Sequence, residues 1–156
     1  MAIMQPREVL EKLADFPIRI FEEGDVVLAE GRNTGRLLFL NKGAVDIVVE
    51  DVFIVRVREA GSVFGDMSFL LEQPHTAAVL AAQPSSFYIV EDPQAFLEAE
   101  PEAALYVAAV LAQRLDAVNR LLVEAKRQAE AAGERRGLLG DTLDRMARAL
   151  HIRTPA

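Results

Sequence analysis

Apolar and polar positions change period three times along the chain. Between Pro6 and Phe16 the apolar residues Val9, Leu10 and Leu13 share one helical face. Pro6 stands at its start, where an absent N–H removes no helical bond. Beyond Pro17 the period shortens. Ile18–Phe21, Val26–Leu28 and Leu37–Leu40 are short apolar runs separated by Gly24, Gly31 and Gly35 and followed by Gly43. Val45, Ile47 and Val49 alternate with Asp46, Val48 and Glu50, and Phe53, Val55 and Val57 interleave with Arg56 and Arg58. Glu50-Asp51 is the tight turn between these two strands, Gly61 closes the set, and Ser86–Val90 gives a last strand. Short strands with turns about every eight to twelve residues predict an antiparallel sandwich or roll.

From Asp92 onward the helical period returns. Asp92 caps a short helix opened by Pro93, and Glu100-Pro101 opens a longer one. In the long helix Ala104, Ala108, Leu111, Leu115, Val118, Leu122, Ala125 and Ala129 recur in steps of four and three. That is the seam of a coiled coil, and Leu121 and Val123 widen it beyond what one roll would cover. A parallel homodimer through Ala104, Ala108, Leu111, Leu115, Val118, Leu122 and Ala125 is the favoured reading; a helix packed only on its own roll is the alternative. Ala132-Gly133 ends the helix, and Leu138–Ile152 is a short amphipathic segment with Leu139, Leu143, Met146 and Leu150 on one side. So short a helix needs a surface to pack on: it would cap a pocket, extend the dimer or dock on a partner. The expected organisation is an N-terminal helix (1–16), a jelly-roll-type β-roll (17–100), a long dimerisation helix (101–132) and a basic amphipathic tail (133–156), mainly β with flanking helices (α+β).

Composition narrows the function. The 156 residues suffice for one domain with its own core. There is no cysteine, which excludes disulfides, zinc–thiolate sites and a thiol nucleophile. His75 and His151 are too few for a histidine-built metal cluster, and no phosphate-loop or dinucleotide-binding glycine pattern occurs, so no enzymatic activity is expected. No apolar run reaches the length of a membrane span, and the first residues lead into an amphipathic helix rather than a secretory signal. A cytoplasmic protein without a membrane partner is expected. The net charge of −7 argues against DNA, where affinity rests on neutralising phosphates. It is uneven, about −10 over residues 1–124 and about +3 over 125–156, so the tail suits an acidic partner or the chain's own acidic body.

The most informative stretch is Val63–Ala81, VFGDMSFLLEQPHTAAVLA. An apolar lead-in ends at Gly65, Asp66–Glu72 have helical spacing, Pro74 stops the helix, and Thr76–Ala81 reads as a buried strand. A helix following a glycine presents N–H groups without intrahelical partners, and Asp66 and His75 framing them would suit a sugar phosphate. The stretch resembles the phosphate-binding cassette of cyclic nucleotide-binding domains of the catabolite activator type. That pattern runs Phe-Gly-Glu, a short apolar helix, Pro-Arg, a small or hydroxyl residue, Ala, then a strand. Phe64, Gly65, Met67, Phe69, Leu70, Pro74, Thr76, Ala77 and Val79 fit it. Gly24, Gly31 and Gly43 match the family's turn glycines, so the resemblance spans roughly Pro17–Glu124. Asp66 stands where the family has glutamate, and His75 where it has arginine.

The resemblance implies a sensor whose candidate ligand is cAMP ahead of cGMP, with no tightly bound cofactor. The backbone of Gly65 and Met67 would line the ribose, Asp66 would accept from its 2′-hydroxyl, and the N–H groups of Thr76 and Ala77 would meet the phosphate. Phe64, Ser68 and Pro74 belong to the same cassette, His75 takes the phosphate-gripping position, and Asn119 on the long helix is placed to meet the base. Ala78 lacks a hydroxyl that cGMP-selective relatives often carry. An imidazole offers one hydrogen bond where a guanidinium offers a fork, and is charged only near or below pH ~6.5. The exchange costs about 1–3 kcal/mol of binding. Three outcomes stay open: weak cyclic nucleotide binding that tightens at lower pH, binding of another anion or nucleotide, or a vestigial pocket in a ligand-independent dimeric interaction module. In the first, phosphate capture shifts the cassette helix and the long helix, biasing a two-state hinge read by a protein partner. A DNA-binding helix-turn-helix, which follows the long helix in the family's transcription factors, is not expected in the residues that follow it here.

Overall fold

The computed structural model describes residues 1–133 and 137–150. The chain divides into two units, Met1–Val107 and Ala108–Ala156. In the first, the alternating runs become strands β1 (Ile18–Phe21), β2 (Val26–Leu28), β3 (Leu37–Lys42), β4 (Val45–Val49), β5 (Val52–Val57), β6 (Val63–Phe64), β7 (Ala78–Ala81) and β8 (Ser85–Val90). They form two four-stranded sheets, ordered β1-β8-β3-β6 and β2-β7-β4-β5, with antiparallel neighbours throughout. This is the β-roll that the periodicity predicts.

Strand β3 shows why the roll has two apolar layers. Leu37–Leu40 are all buried, as a strand covered on both faces must be. Leu38 and Leu40 enter the core between the sheets with Phe21, Leu28, Val45, Phe64, Val79, Phe87 and Ile89. Phe39 instead meets Phe96 of α3 (Pro93–Ala99), which in turn stacks edge-on against Phe16 at 5.2 Å. The buried Val9 and Leu13, from α1 (Pro6–Lys12) and its C-cap, and Ala103, Tyr106 and Val107 of α4 (Pro101–Ala131) complete the apolar side of these helices. The Tyr106 hydroxyl donates to the Gly61 carbonyl at 2.8 Å. Asp92 caps α3 as expected, its carboxylate accepting from the Ala95 N–H at 3.0 Å.

Boundaries differ where local chemistry intervenes. Helix α1 stops at Lys12 rather than Phe16, because Leu13 is its C-cap and Pro17 disfavours a helical Phe16. Between β4 and β5, Glu50 and Asp51 both take positive φ, 49° and 63°, the backbone of a two-residue turn whose twist matches the strands it joins. Strand β7 starts at Ala78, not Thr76.

In the second unit α4 continues to Ala131 and α5 spans Leu138–Ala149; Ile152, the expected end of the tail helix, lies outside the described residues. Leu122 and Ala129 of α4 and Leu143 of α5 form one buried cluster, with Ala125, Ala147 and Leu150 packed on it. The Lys126 ammonium donates to the Asp144 carboxylate at 2.6 Å. The tail helix therefore packs on the long helix of its own chain. Leu115 and Val118, higher on the same stripe, remain 43% and 40% exposed. Ala108 is exposed, and Ala104 and Leu111 are half-buried. No described helix is long and apolar enough to cross a membrane.

Candidate functional site

The cassette grows from the end of β6. Phe64 pairs with Leu38 of β3, and its ring packs against Phe87 at 5.9 Å, so its side chain belongs to the core. Gly65 then takes φ +84°, and a Cβ there would lie 2.4 Å from the Arg36 carbonyl oxygen. Only a residue without a side chain fits so close to another backbone. That turn launches α2 (Asp66–Leu71), whose first residue, Asp66, is 4% exposed. An acid in a first helical turn is favoured by the helix dipole. Met67, Leu70 and Leu71 point outward and are exposed. Ser68 is buried, and its hydroxyl donates to the Gln73 carbonyl while the Gln73 N–H returns a bond to the Ser68 carbonyl. Its role is to close the end of α2, where Glu72 takes φ +51°.

After Pro74, which is exposed, His75 turns inward. It is 6% exposed and held by three bonds to the loop between β2 and β3. The Gly31 N–H donates to the His75 carbonyl at 2.8 Å, the His75 N–H donates to the Arg32 carbonyl at 2.8 Å, and the ring Nε2 lies 3.0 Å from the Thr34 hydroxyl. Burial lowers its pKa from the ordinary histidine value. In this structure His75 is committed to the loop and its burial disfavours the charged ring, which works against a cationic phosphate grip. Thr76 is exposed and Ala77 half-buried; their N–H groups lie outside the β7 ladder, which begins with Ala78 opposite Val48. Asn119 belongs to the second unit, half-buried on α4.

The sequence did not single out the loop that holds the cassette. Arg32 and Thr34 bond His75, and Arg36 abuts Gly65 while its guanidinium pairs with Glu91 at 2.6 Å. The available signal was Gly31 and Gly35 bracketing the loop, but nothing local reports a partner 41 residues away. Thr34 and Arg36 also line a cavity of about 80 Å³ with Arg19, Phe21 and Glu91. Small-molecule pockets are typically about 300–1,000 Å³, so this cavity is smaller than one that would enclose a nucleotide. Among the described residues, no group of three or more His, Cys, Asp or Glu could hold a metal ion.

The state of His75 has a measurable consequence. The unfolded chain takes up the proton near the ordinary histidine pKa of ~6.5, whereas the folded protein resists it until lower pH. Stability contributed by the neutral ring is present above pH ~6.5 and falls as pH drops towards the depressed folded value. Denaturant unfolding at pH 7.5 and 5.5 should show a loss at the lower pH. His75→Gln, a neutral partner for Thr34, should make that loss smaller; an unchanged pH slope would contradict the buried neutral ring.

The model for the cyclic nucleotide-binding domain matches residues 18–99, over half the chain and including the whole cassette. The structure is similar to the catabolite activator protein of Thermus thermophilus, with a TM-score of 0.64 and 21% identity over 98% of this chain and 88% of that one. A transcriptional regulator from Thermotoga maritima aligns with a TM-score of 0.61 and 16% identity, covering 73% of this chain and 94% of its own. PKAR CBD2, solved with Sp-2Cl-cAMPS bound, gives a TM-score of 0.58 and 20% identity over 78% of this chain and 79% of that one. At these identities the structures establish the shared fold, while the matched family model spans the Gly65 turn, the buried Asp66 and the loop after Pro74. By that match the chain belongs to the cyclic nucleotide-binding domain family.

Proposed function

We propose that this chain is a cytoplasmic regulatory sensor that binds a cyclic nucleotide, cAMP ahead of cGMP, at Gly65–Ala77 and passes the event to a protein partner. One observation carries the reading: the Gly65 turn that leads into the buried Asp66 lies against the His75 ring, next to the Thr76 and Ala77 N–H groups, which fall outside the β7 ladder. Asp66 accepts from the ribose 2′-hydroxyl, Gly65 and Met67 line the sugar with backbone, and the Thr76 and Ala77 N–H groups, with the Thr76 hydroxyl, hold the phosphate. With His75 tied to Thr34 and its charged form disfavoured by burial, the phosphate relies on N–H and hydroxyl dipoles rather than on a charge at His75. The affinity is then about 10–100-fold below that of a cassette carrying arginine. The sensor works as a homodimer through the α4 stripe, on which Leu115 and Val118 stay exposed.

Calorimetric titration at pH 7.5 is expected to give saturable heat with cAMP and weaker binding of cGMP. Asp66→Ala should weaken cAMP by about tenfold or more, through loss of a charge-assisted hydrogen bond. A second reading is favoured by the commitment of His75 to the loop: the roll as scaffold of a ligand-independent dimeric interaction module. Absence of heat with both nucleotides at pH 7.5 and pH 6, from a folded protein, would overturn the cAMP and cGMP reading and favour this one.

A further inference from the structure

The heptad of α4 is continuous, yet its two halves stand in different surroundings. Ala108, Leu115, Leu122 and Ala129 are spaced by seven, as are Leu111, Val118 and Ala125, so all lie on one helix face. At the C-terminal end that face is occupied by the same chain: α5 covers Leu122, Ala125 and Ala129 with Leu143, Ala147 and Leu150, and the Lys126–Asp144 bond pins it there. A second helix cannot lie on the same three positions at the same time. One turn higher, Leu115 and Val118 are large apolar side chains at seam positions and are 43% and 40% exposed.

We propose that the stripe serves two contacts in series: α5 of the same chain on Leu122, Ala125 and Ala129, and α4 of a second copy on Ala108, Leu111, Leu115 and Val118. The second occupant is the one the homodimer reading supplies, and the continuous stripe can accommodate it. The phase that fits α5 to the lower half runs unbroken into the upper half, and parallel helices of identical sequence match apolar positions to each other in register. The inference rests on the homodimer reading above and adds what limits the dimer. A seam of four positions, two of them centred on Leu115 and Val118, buries far less than the ~1,200–2,000 Å² of a stable interface, so the contact is weak while α5 stays docked. Undocking α5 uncovers Leu122, Ala125 and Ala129 and lengthens the seam downward. Helix α5 thereby competes in cis with the partner's α4, and whatever displaces it strengthens the dimer.

The absence of cysteine makes the test direct. Val118→Cys and Ala125→Cys occupy equivalent heptad positions seven residues apart, so in an uninterrupted parallel coiled coil they cross-link equally. Under mild oxidation of the full chain, Val118→Cys is expected to give roughly tenfold or more disulfide-linked dimer than Ala125→Cys. Adding Leu143→Asp, which expels α5 from its cluster, should bring Ala125→Cys up to the level of Val118→Cys. Equal cross-linking at both positions in the otherwise unchanged chain would overturn the cis occupancy and leave the dimer intact. No cross-linking at either position, with a monomeric mass by sedimentation, would overturn the homodimer reading and this inference with it. Ala125→Cys remaining unlinked beside Leu143→Asp, while Val118→Cys links, would show that the lower half does not accept a second copy.

Discussion

Phe87→Ala should lower the unfolding free energy by about 3–5 kcal/mol, the cost of removing a fully enclosed aromatic ring. Phe87 is 0% exposed on β8, an interior strand of its sheet, lying between β1 and β3. Its ring meets Phe21 at 5.6 Å and Phe64 at 5.9 Å, both edge-on, the arrangement aromatic pairs prefer. Alanine would open a cavity between the two sheets, and neither neighbour can follow without leaving its strand. Whole-protein stabilities are about 5–15 kcal/mol, so the loss takes a large share of the total. Thermal unfolding should show a midpoint lower by roughly 10–15 °C. Phe53→Ala is the matched control: Phe53 is 58% exposed on the edge strand β5, and its removal should stay within about 0.5 kcal/mol. Equal urea midpoints for the two variants would refute the placement of the core.

The roll was legible because its strands announce themselves locally. Val45, Ile47 and Val49 alternate, Leu37–Leu40 is continuous because both faces are covered, and Asp92 sits where a cap must be. The cassette was legible as a pattern, Gly65-Asp66 through Pro74-His75, through its resemblance to the family's rather than through a local rule. Two features were not. His75 reads from the sequence as a donor framing a phosphate, whereas in the fold it faces Thr34 and is shielded from water. Its fate depends on a loop far away in the chain, and no period or spacing encodes that approach. Similarly the α4 heptad states that one face is apolar without stating what covers it. Leu122 and Ala125 look the same as Leu115 and Val118 in the pattern, and the difference between them comes from α5. Periodicity reports that a surface must be buried; tertiary structure chooses the partner.

Gly65→Ala should cost roughly 2–5 kcal/mol and silence the cassette, and the two contributions can be separated. One is conformational: a left-handed residue other than glycine is strained by about 1–2 kcal/mol. The other is contact: the new Cβ would lie 2.4 Å from the Arg36 carbonyl oxygen, and crowding of this kind adds about 1–3 kcal/mol. The carbonyl has little freedom to retreat. Arg36 directly precedes Leu37, which is paired with Val90, and its guanidinium is tied to Glu91. The strain is therefore relieved by displacing Asp66 and the start of α2, which moves the buried acid relative to Thr76 and Ala77. Gly24→Ala isolates the conformational part, because Gly24 has nearly the same φ, +87°, with nothing within 4 Å of its missing Cβ. Gly24→Ala should lose only about 1–2 kcal/mol and keep the parent's calorimetric response to cAMP. Gly65→Ala, assayed at a temperature where it is still folded, should lose both more stability and the response. Matching stabilities for the two variants would mean that the cassette does not press on the loop at Arg36. If Gly65→Ala were as destabilised as expected yet still gave the parent's heat, the nucleotide would have to bind without Asp66 in its present position.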